Sequence, residues 1–177
     1  MPSPALSGDL ERMKGIYYSC YGSPDVIEFT ELEKPVPEDD EILIKVHAAS
    51  VNPYDWHFMR GSPYVMRLMT GLGAPNDKRL GADFAGTVEA TGKNITKFKA
   101  GDEVFGAASG AFSEYVIKTE NGSLVRKPAG VSFEQGASVA IAAVTALQAL
   151  RDKGEIKTGH KVLINGASGG VGTFAVQ

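Results

Sequence analysis

The stretch that most restricts the fold is residues 161–177, Lys-Val-Leu-Ile-Asn-Gly-Ala-Ser-Gly-Gly-Val-Gly-Thr-Phe-Ala-Val-Gln. Val162, Leu163 and Ile164 form a short apolar run that predicts a buried strand. Glycines follow at 166, 169, 170 and 172, and Val171, Phe174, Ala175 and Val176 begin a helical pattern. Strand, glycine turn and helix in that order make a cradle for a pyrophosphate. Glycines let the backbone turn sharply and approach an anion, and free N–H groups at the helix start face it. The fingerprint is Ala167-x-Gly169-x-x-Gly172, with alanine in the first glycine place. A plain surface turn uses the same residues; the flanking strand and helix favour the nucleotide. A βαβ unit takes roughly 30 residues, and the side chain that reads the cofactor ribose falls about 20 residues on. Both would lie past Gln177, so the expectation is an N-terminal fragment of a longer enzyme, itself inactive.

Upstream the pattern is different. Ile16-Tyr17-Tyr18, Val26–Leu32, Glu41–Val51, Thr87–Thr91, Asn94–Lys99, Gly101–Gly106, Gly110–Ile117 and Leu124–Pro128 read as short segments separated by Gly and Pro. Such spacing predicts an all-β barrel or sandwich. In the longest strand, period two sets Ile42, Ile44 and Val46 on one face and Leu43, Lys45 and His47 on the other, with His47 solvated. Residues 1–12, polar with two prolines, are expected to be mobile. Residues 52–75 show little periodicity and read as a long irregular loop. Tyr54, Trp56, Phe58, Tyr64, Met66 and Met69 fit either a pocket wall or ordinary core filling. From Ser132 to Leu150 small apolar residues recur at helical spacing, opened by a capping box of Ser132 and Gln135. The change near residue 130 predicts two units, 1–130 and 131–177.

Composition narrows the function. Of the 177 residues 43% are hydrophobic and 22% charged, with a formal net charge of −3. That balance offers no electrostatic pull toward nucleic acid or anionic membrane. No run approaches the roughly 20 apolar residues of a membrane span, and the N-terminus has neither a signal-peptide core nor a presequence pattern. A cytoplasmic protein is expected. The lone cysteine, Cys20, cannot form an internal disulfide and reads as a half-buried thiol at a strand end.

Five motifs occur in order: Asn52-Pro-Tyr-Asp55, Gly81-x-Asp83-x-x-Gly86, Gly101-Asp-Glu-Val-Phe-Gly106, Gly110-Ala-Phe-Ser-Glu-Tyr-Val116 and Asn165-Gly-Ala-Ser-Gly-Gly-Val-Gly172. With them the chain resembles the medium-chain dehydrogenase/reductase superfamily, in its zinc-independent quinone oxidoreductase-like branch. The resemblance implies a mixed fold: a GroES-like β-barrel catalytic domain, then the opening βα portion of a Rossmann α/β domain that binds NADPH or NADH. It also implies the active site between them and often a homodimer. In zinc-dependent members the catalytic ligands fall where this chain has Asn52, Ala82 and Ile141. Two of these cannot bind zinc and one would do so poorly, so no metal is expected. A single cysteine excludes the four-cysteine structural site.

Hydride transfer without a Lewis acid calls for an acceptor that is already electrophilic, a quinone or an α,β-unsaturated carbonyl. By the same resemblance Tyr54 is the candidate hydrogen-bond donor to the acceptor oxygen; the alternative is a packing tyrosine bonded to backbone. Asn52 would orient the substrate oxygen, and Tyr64 and Trp56 would line the pocket. Asp55 and Asp83 read as loop braces, and His57 as a pocket-edge or surface residue. Ala167, Ser168, Gly169, Gly170, Val171 and Gly172 would hold the pyrophosphate. Thr145 would lie near the nicotinamide end, or merely bond back within its helix. The competing reading is a non-catalytic GroES-like binding module.

Overall fold

The computed structural model describes residues 11–177. Residues 1–10, most of the tail expected to be mobile, lie outside the described residues. Arg12 already belongs to a strand, paired with Glu33. That strand, β1 (Arg12–Tyr18), and β2 (Ile27–Glu33) form an antiparallel hairpin. Five further strands follow: β3 (Glu41–Ser50), β4 (Asp83–Thr91), β5 (Glu103–Ala107), β6 (Tyr115–Thr119) and β7 (Leu124–Arg126). They make one antiparallel sheet in the order β6-β3-β4-β5-β7. The hairpin closes onto this sheet through residues 112–114. Ile16 N–H donates to Phe112 O (2.9 Å), Glu114 N–H to Lys14 O (3.0 Å), and Val46 N–H to Glu114 O (2.9 Å). The result is a curled antiparallel sheet, as the segment spacing predicts.

Its interior is apolar because strands that alternate in the sequence turn one face inward. Ile42, Ile44, Phe84, Val88, Val104 and Val116 are buried together there. Each fully buried side chain of that size contributes about 1.5–3 kcal/mol. The expected alternation in β3 fails at Leu43, which is 4% exposed. Register shifts against β4 fall between Leu43 and Ile44 and between Val46 and Ala48. An extra residue in one strand bends it and breaks strict period two.

Residues 52–75 are not an irregular loop. Pro53–Arg60 is a helix, α1, and Arg67–Thr70 a short one, α2. Asn52 sits at the N-cap in extended conformation, Pro53 supplies a preset φ, and the Asp55 carboxylate accepts the Asn52 N–H at 2.7 Å. Gly61, at φ 57°, ends the helix in the left-handed region. Asp55 and Met59, one turn apart, are its buried residues, and Met59 packs with Tyr18 and Leu80.

Several other expectations are corrected. Asn94–Lys99 forms no strand; the Glu120 carboxylate instead accepts the backbone N–H groups of Thr96 (2.6 Å) and Lys97. Cys20 is exposed, because it lies two residues past the end of β1 with no sheet over it. The predicted helix from Ser132 starts with its capping box: Gln135 N–H donates to Ser132 Oγ (3.2 Å) and Ser132 N–H to Gln135 Oε1 (2.9 Å). It then breaks into α3 (Phe133–Ala137), α4 (Ala142–Leu147) and a wide helical turn over Gln148–Lys153. At the break, the Ile141 N–H goes to a side chain of the sheet rather than to a helix carbonyl.

The glycine turn does lead into a helix, α5 (Gly170–Val176). The strand expected before it is absent: residues 161–164 join no ladder, and Leu163 is 96% exposed. A parallel strand draws its backbone partners from neighbouring strands, and none among the described residues lies beside this run.

Candidate functional site

The site begins where β3 runs out. Ser50, Asn52, Asp83 at the head of β4, and Ile141 meet at one carboxylate. Asp83 Oδ2 accepts Ser50 Oγ–H (3.2 Å), Asn52 Nδ2–H (3.1 Å) and Ile141 N–H (3.3 Å). Asp83 is fully buried, and burial pushes its carboxyl pKa above the ordinary range although these donors oppose the shift. Asp55 is also buried and pushed up, mainly by burial, against the opposing Asn52 N–H. Asn52 therefore spans two buried carboxylates. Its backbone N–H serves Asp55, and its side-chain N–H groups serve Asp83 and Ser50. Both acids act as braces, Asp83 through one backbone and two side-chain donors.

Asn52 and Ile141 both reach Asp83, whose chain neighbour is Ala82. Positions 52, 82 and 141 offer a committed amide, a methyl group and an aliphatic side chain. Among the described residues no three His, Cys, Asp or Glu side chains are grouped to hold a metal. This donor set does not fit zinc.

Tyr54 lies on α1 with its ring stacked on Phe58 at 4.0 Å, and is 43% exposed. It lines a cavity of about 100 Å³ with Tyr18, Asp55, Asp77, Arg79 and Ser109. Its hydroxyl bonds to no described residue. Burial first, then the Asp55 and Asp77 carboxylates, push its pKa up, so it stays protonated at neutral pH. Buried Tyr18, across the cavity, is pushed up to about 12. Trp56 stacks on His57 (3.7 Å) and belongs to no cavity with Tyr54. Half-buried His57 directs Nδ1 at Ser62 O, 2.7 Å away; a carbonyl only accepts, so Nδ1 carries the proton. Tyr64, 76% exposed, lines a different surface cavity with Arg60 and Arg67. Tyr54 and Tyr64 thus line separate cavities, and Trp56 packs on His57.

The glycine turn faces a groove of about 490 Å³. Pro53, Ala146, Leu150, Val162 and Gly169 are among its walls. Pro53 stands between Asn52 and Tyr54 in the chain, so the groove reaches the start of α1. Gly166 has φ 75°, and a Cβ on Gly172 would lie 2.2 Å from the Gly166 carbonyl oxygen. The turn can close only on a glycine at 172. Gly169, Gly170, Ala167, Ser168 and Val171 are exposed along it. Thr145 is exposed on α4, and its side chain bonds to no described residue.

The reading of the sequence missed the reach of Asp83 to Ile141, and the acids and Tyr18 around Tyr54. One signal was available: Asp83 interrupts the apolar run Leu80–Ala85, and an acid inside such a run needs internal donors.

Residues 38–129, more than half of the chain, match the alcohol dehydrogenase GroES-like domain family. A curated chloroplastic quinone-oxidoreductase homolog of Spinacia oleracea is 39% identical over 175 residues, covering 93% of this chain and 51% of that protein. The solved quinone oxidoreductase from Coxiella burnetii superposes with a TM-score of 0.85 at 35% identity, covering 94% of this chain and 52% of that one. The Escherichia coli quinone oxidoreductase complexed with NADPH gives 0.81 at 30% identity, with 92% and 48% covered. The chain spans about half the length of the curated relatives it matches.

Proposed function

Because the chain belongs to the alcohol dehydrogenase GroES-like domain family, in the quinone oxidoreductase-like branch of the medium-chain dehydrogenase/reductase superfamily, we propose that the whole protein is an NAD(P)H-dependent oxidoreductase that reduces a quinone or an α,β-unsaturated carbonyl without a metal. The observation that carries this reading is the groove joining the glycine turn to Pro53, the residue between Asn52 and Tyr54 in the chain. The complex of the Escherichia coli relative with NADPH supports that cofactor. We place the boundary between the two units near residue 130, between β7 and α3.

A bound nicotinamide cofactor supplies hydride. The N–H groups of Gly169, Gly170 and Val171 and the Ser168 hydroxyl would hold its pyrophosphate; the small side chain at Ala167 and the closed turn at Gly172 would shape the cradle. Thr145 would flank the nicotinamide end. Tyr54, kept protonated by its surroundings, donates a hydrogen bond to the acceptor oxygen as negative charge develops there. Such a donor in a dry site is worth about 2.7–4 kcal/mol. Asn52 orients the substrate oxygen through its amide, whose N–H groups it shares with Asp83 and Ser50. Trp56 and Tyr64 line the outer approach. With Ala82 and Ile141 unable to bind zinc and Asn52 a poor ligand for it, conjugation in the acceptor has to spread the charge.

No helix among the described residues is long and apolar enough to cross a membrane. The test is an assay of the whole protein with NADPH and a simple quinone or enone, with and without chelator. Turnover that ignores the chelator is expected. Failure to consume NADPH with either acceptor class, or loss of turnover on chelation, overturns the reading.

A further inference from the structure

We propose that the cavity between α1 and the turn after β1 binds an oxyanion attached to a planar ring, an aryl carboxylate being the simplest case. The cavity has a volume of about 470 Å³ and is walled by Tyr21, Ser23, Arg60, Ser62, Tyr64 and Arg67. Arg67 is held rigid inside it. Its Nε–H donates to Gly61 O and its Nη2–H to Arg60 O, both at 3.1 Å. Its guanidinium lies 4.4 Å from the Tyr21 ring centre and 4.7 Å from that of Tyr64. Tyr21 is fixed in turn, its hydroxyl 2.8 Å from both Gly71 O and Thr70 Oγ1. A guanidinium already immobilised loses little freedom when it takes a ligand.

The charge around it is one-sided. Both charged residues on the wall are arginines, and neither has a carboxylate within ion-pair distance among the described residues. The nearby Asp25 carboxylate accepts the Ser23 hydroxyl at 2.7 Å. In a chain of net charge −3, two uncompensated guanidiniums in one concavity attract an anion. Arg67 keeps its Nη1 donors, Arg60 its whole fork, and Ser62 its hydroxyl; such forks match a carboxylate. The Tyr64 ring, set against Arg67 and 76% exposed, offers a flat apolar surface beside them. Charge on one side and an open ring on the other select a ligand with both features.

This site shares Tyr64 with the outer approach proposed above, but its test needs no turnover, so either proposal can fail alone. The chain is titrated with benzoate and with benzamide, which share ring and shape but not charge, while NMR follows the Arg67 Nε–H and Tyr64 ring signals. Saturating shifts with benzoate are expected, with binding of benzamide roughly tenfold weaker. Arg60→Gln should weaken benzoate by a similar factor; the Arg67 bonds run to backbone carbonyls, so this variant keeps the cavity intact. Lys153→Gln, away from the cavity, should change nothing. Equal binding of benzamide, an unaffected Arg60→Gln, or shifts that never saturate would each overturn the proposal. Shifts with inorganic phosphate but not with benzoate would remove the ring from it and overturn it as stated.

Discussion

The side-chain amide of Asn52 donates to the Asp83 carboxylate across 3.1 Å, and the same carboxylate oxygen takes the backbone N–H of Ile141. One buried acid thus ties the end of β3, the cap of α1 and the break between α3 and α4. Asp83→Ala should leave three part-buried donors without their shared acceptor. A loss of roughly 2–5 kcal/mol is expected, read as a lower urea midpoint. A shift below about half a kcal/mol, the size of an ordinary surface change, would show that the junction is not held by this side chain.

Burial raises the folded-state pKa of Asp55 above its unfolded value. The folded protein then binds this proton more tightly than the unfolded chain. Its contribution to stability is present below the unfolded pKa, about 3.9, and is lost as pH rises through the higher folded value. Asp55→Asn keeps a carbonyl to accept the Asn52 N–H and removes the titration. The variant should therefore lose less stability relative to the parent at pH 7 than near pH 4. A gap that is the same at both pH values, by urea melts, would place Asp55 among ordinary acids.

Gly172→Ala puts a methyl 2.2 Å from the Gly166 carbonyl oxygen, so the backbone there has to shift. The turn should open at a cost of about 1–3 kcal/mol. Hydrogen exchange should quicken at α5 amides while β3 and β4 stay protected. Unchanged exchange at α5 would mean that the turn is not closed on Gly172.

Tyr54→Phe removes a hydroxyl that bonds to no described residue, so stability should hardly change. In the whole protein, turnover should fall by about 10²–10³ with cofactor affinity unchanged. Unaltered turnover would leave Tyr54 as a packing residue stacked on Phe58.

Much of this protein is local in origin and could be read from residue order. Turn residues at regular intervals and period-two apolar residues produce the strands, since both act within a few positions of the chain. The Ser132–Gln135 cap is likewise a contact between near neighbours. The glycines at 166 and 172 announce a tight turn: the first takes φ 75°, and no Cβ fits at the second. Helix α1 escaped notice since its eight residues bury only Asp55 and Met59, too narrow a stripe to register as a period.

What the sequence by itself determined is a set of segments, their turns, and the type of residue available at each place where chemistry could occur. Tertiary structure alone decided that Asp83 meets Ile141, 58 positions away. It turned Tyr54, Trp56 and Tyr64 toward different surroundings, and left Leu163 bare instead of burying it in a strand. These outcomes depend on which distant backbone groups and side chains arrive beside one another. Burial, charge and hydrogen bonding take their values from those neighbours, and no periodicity along the chain encodes them.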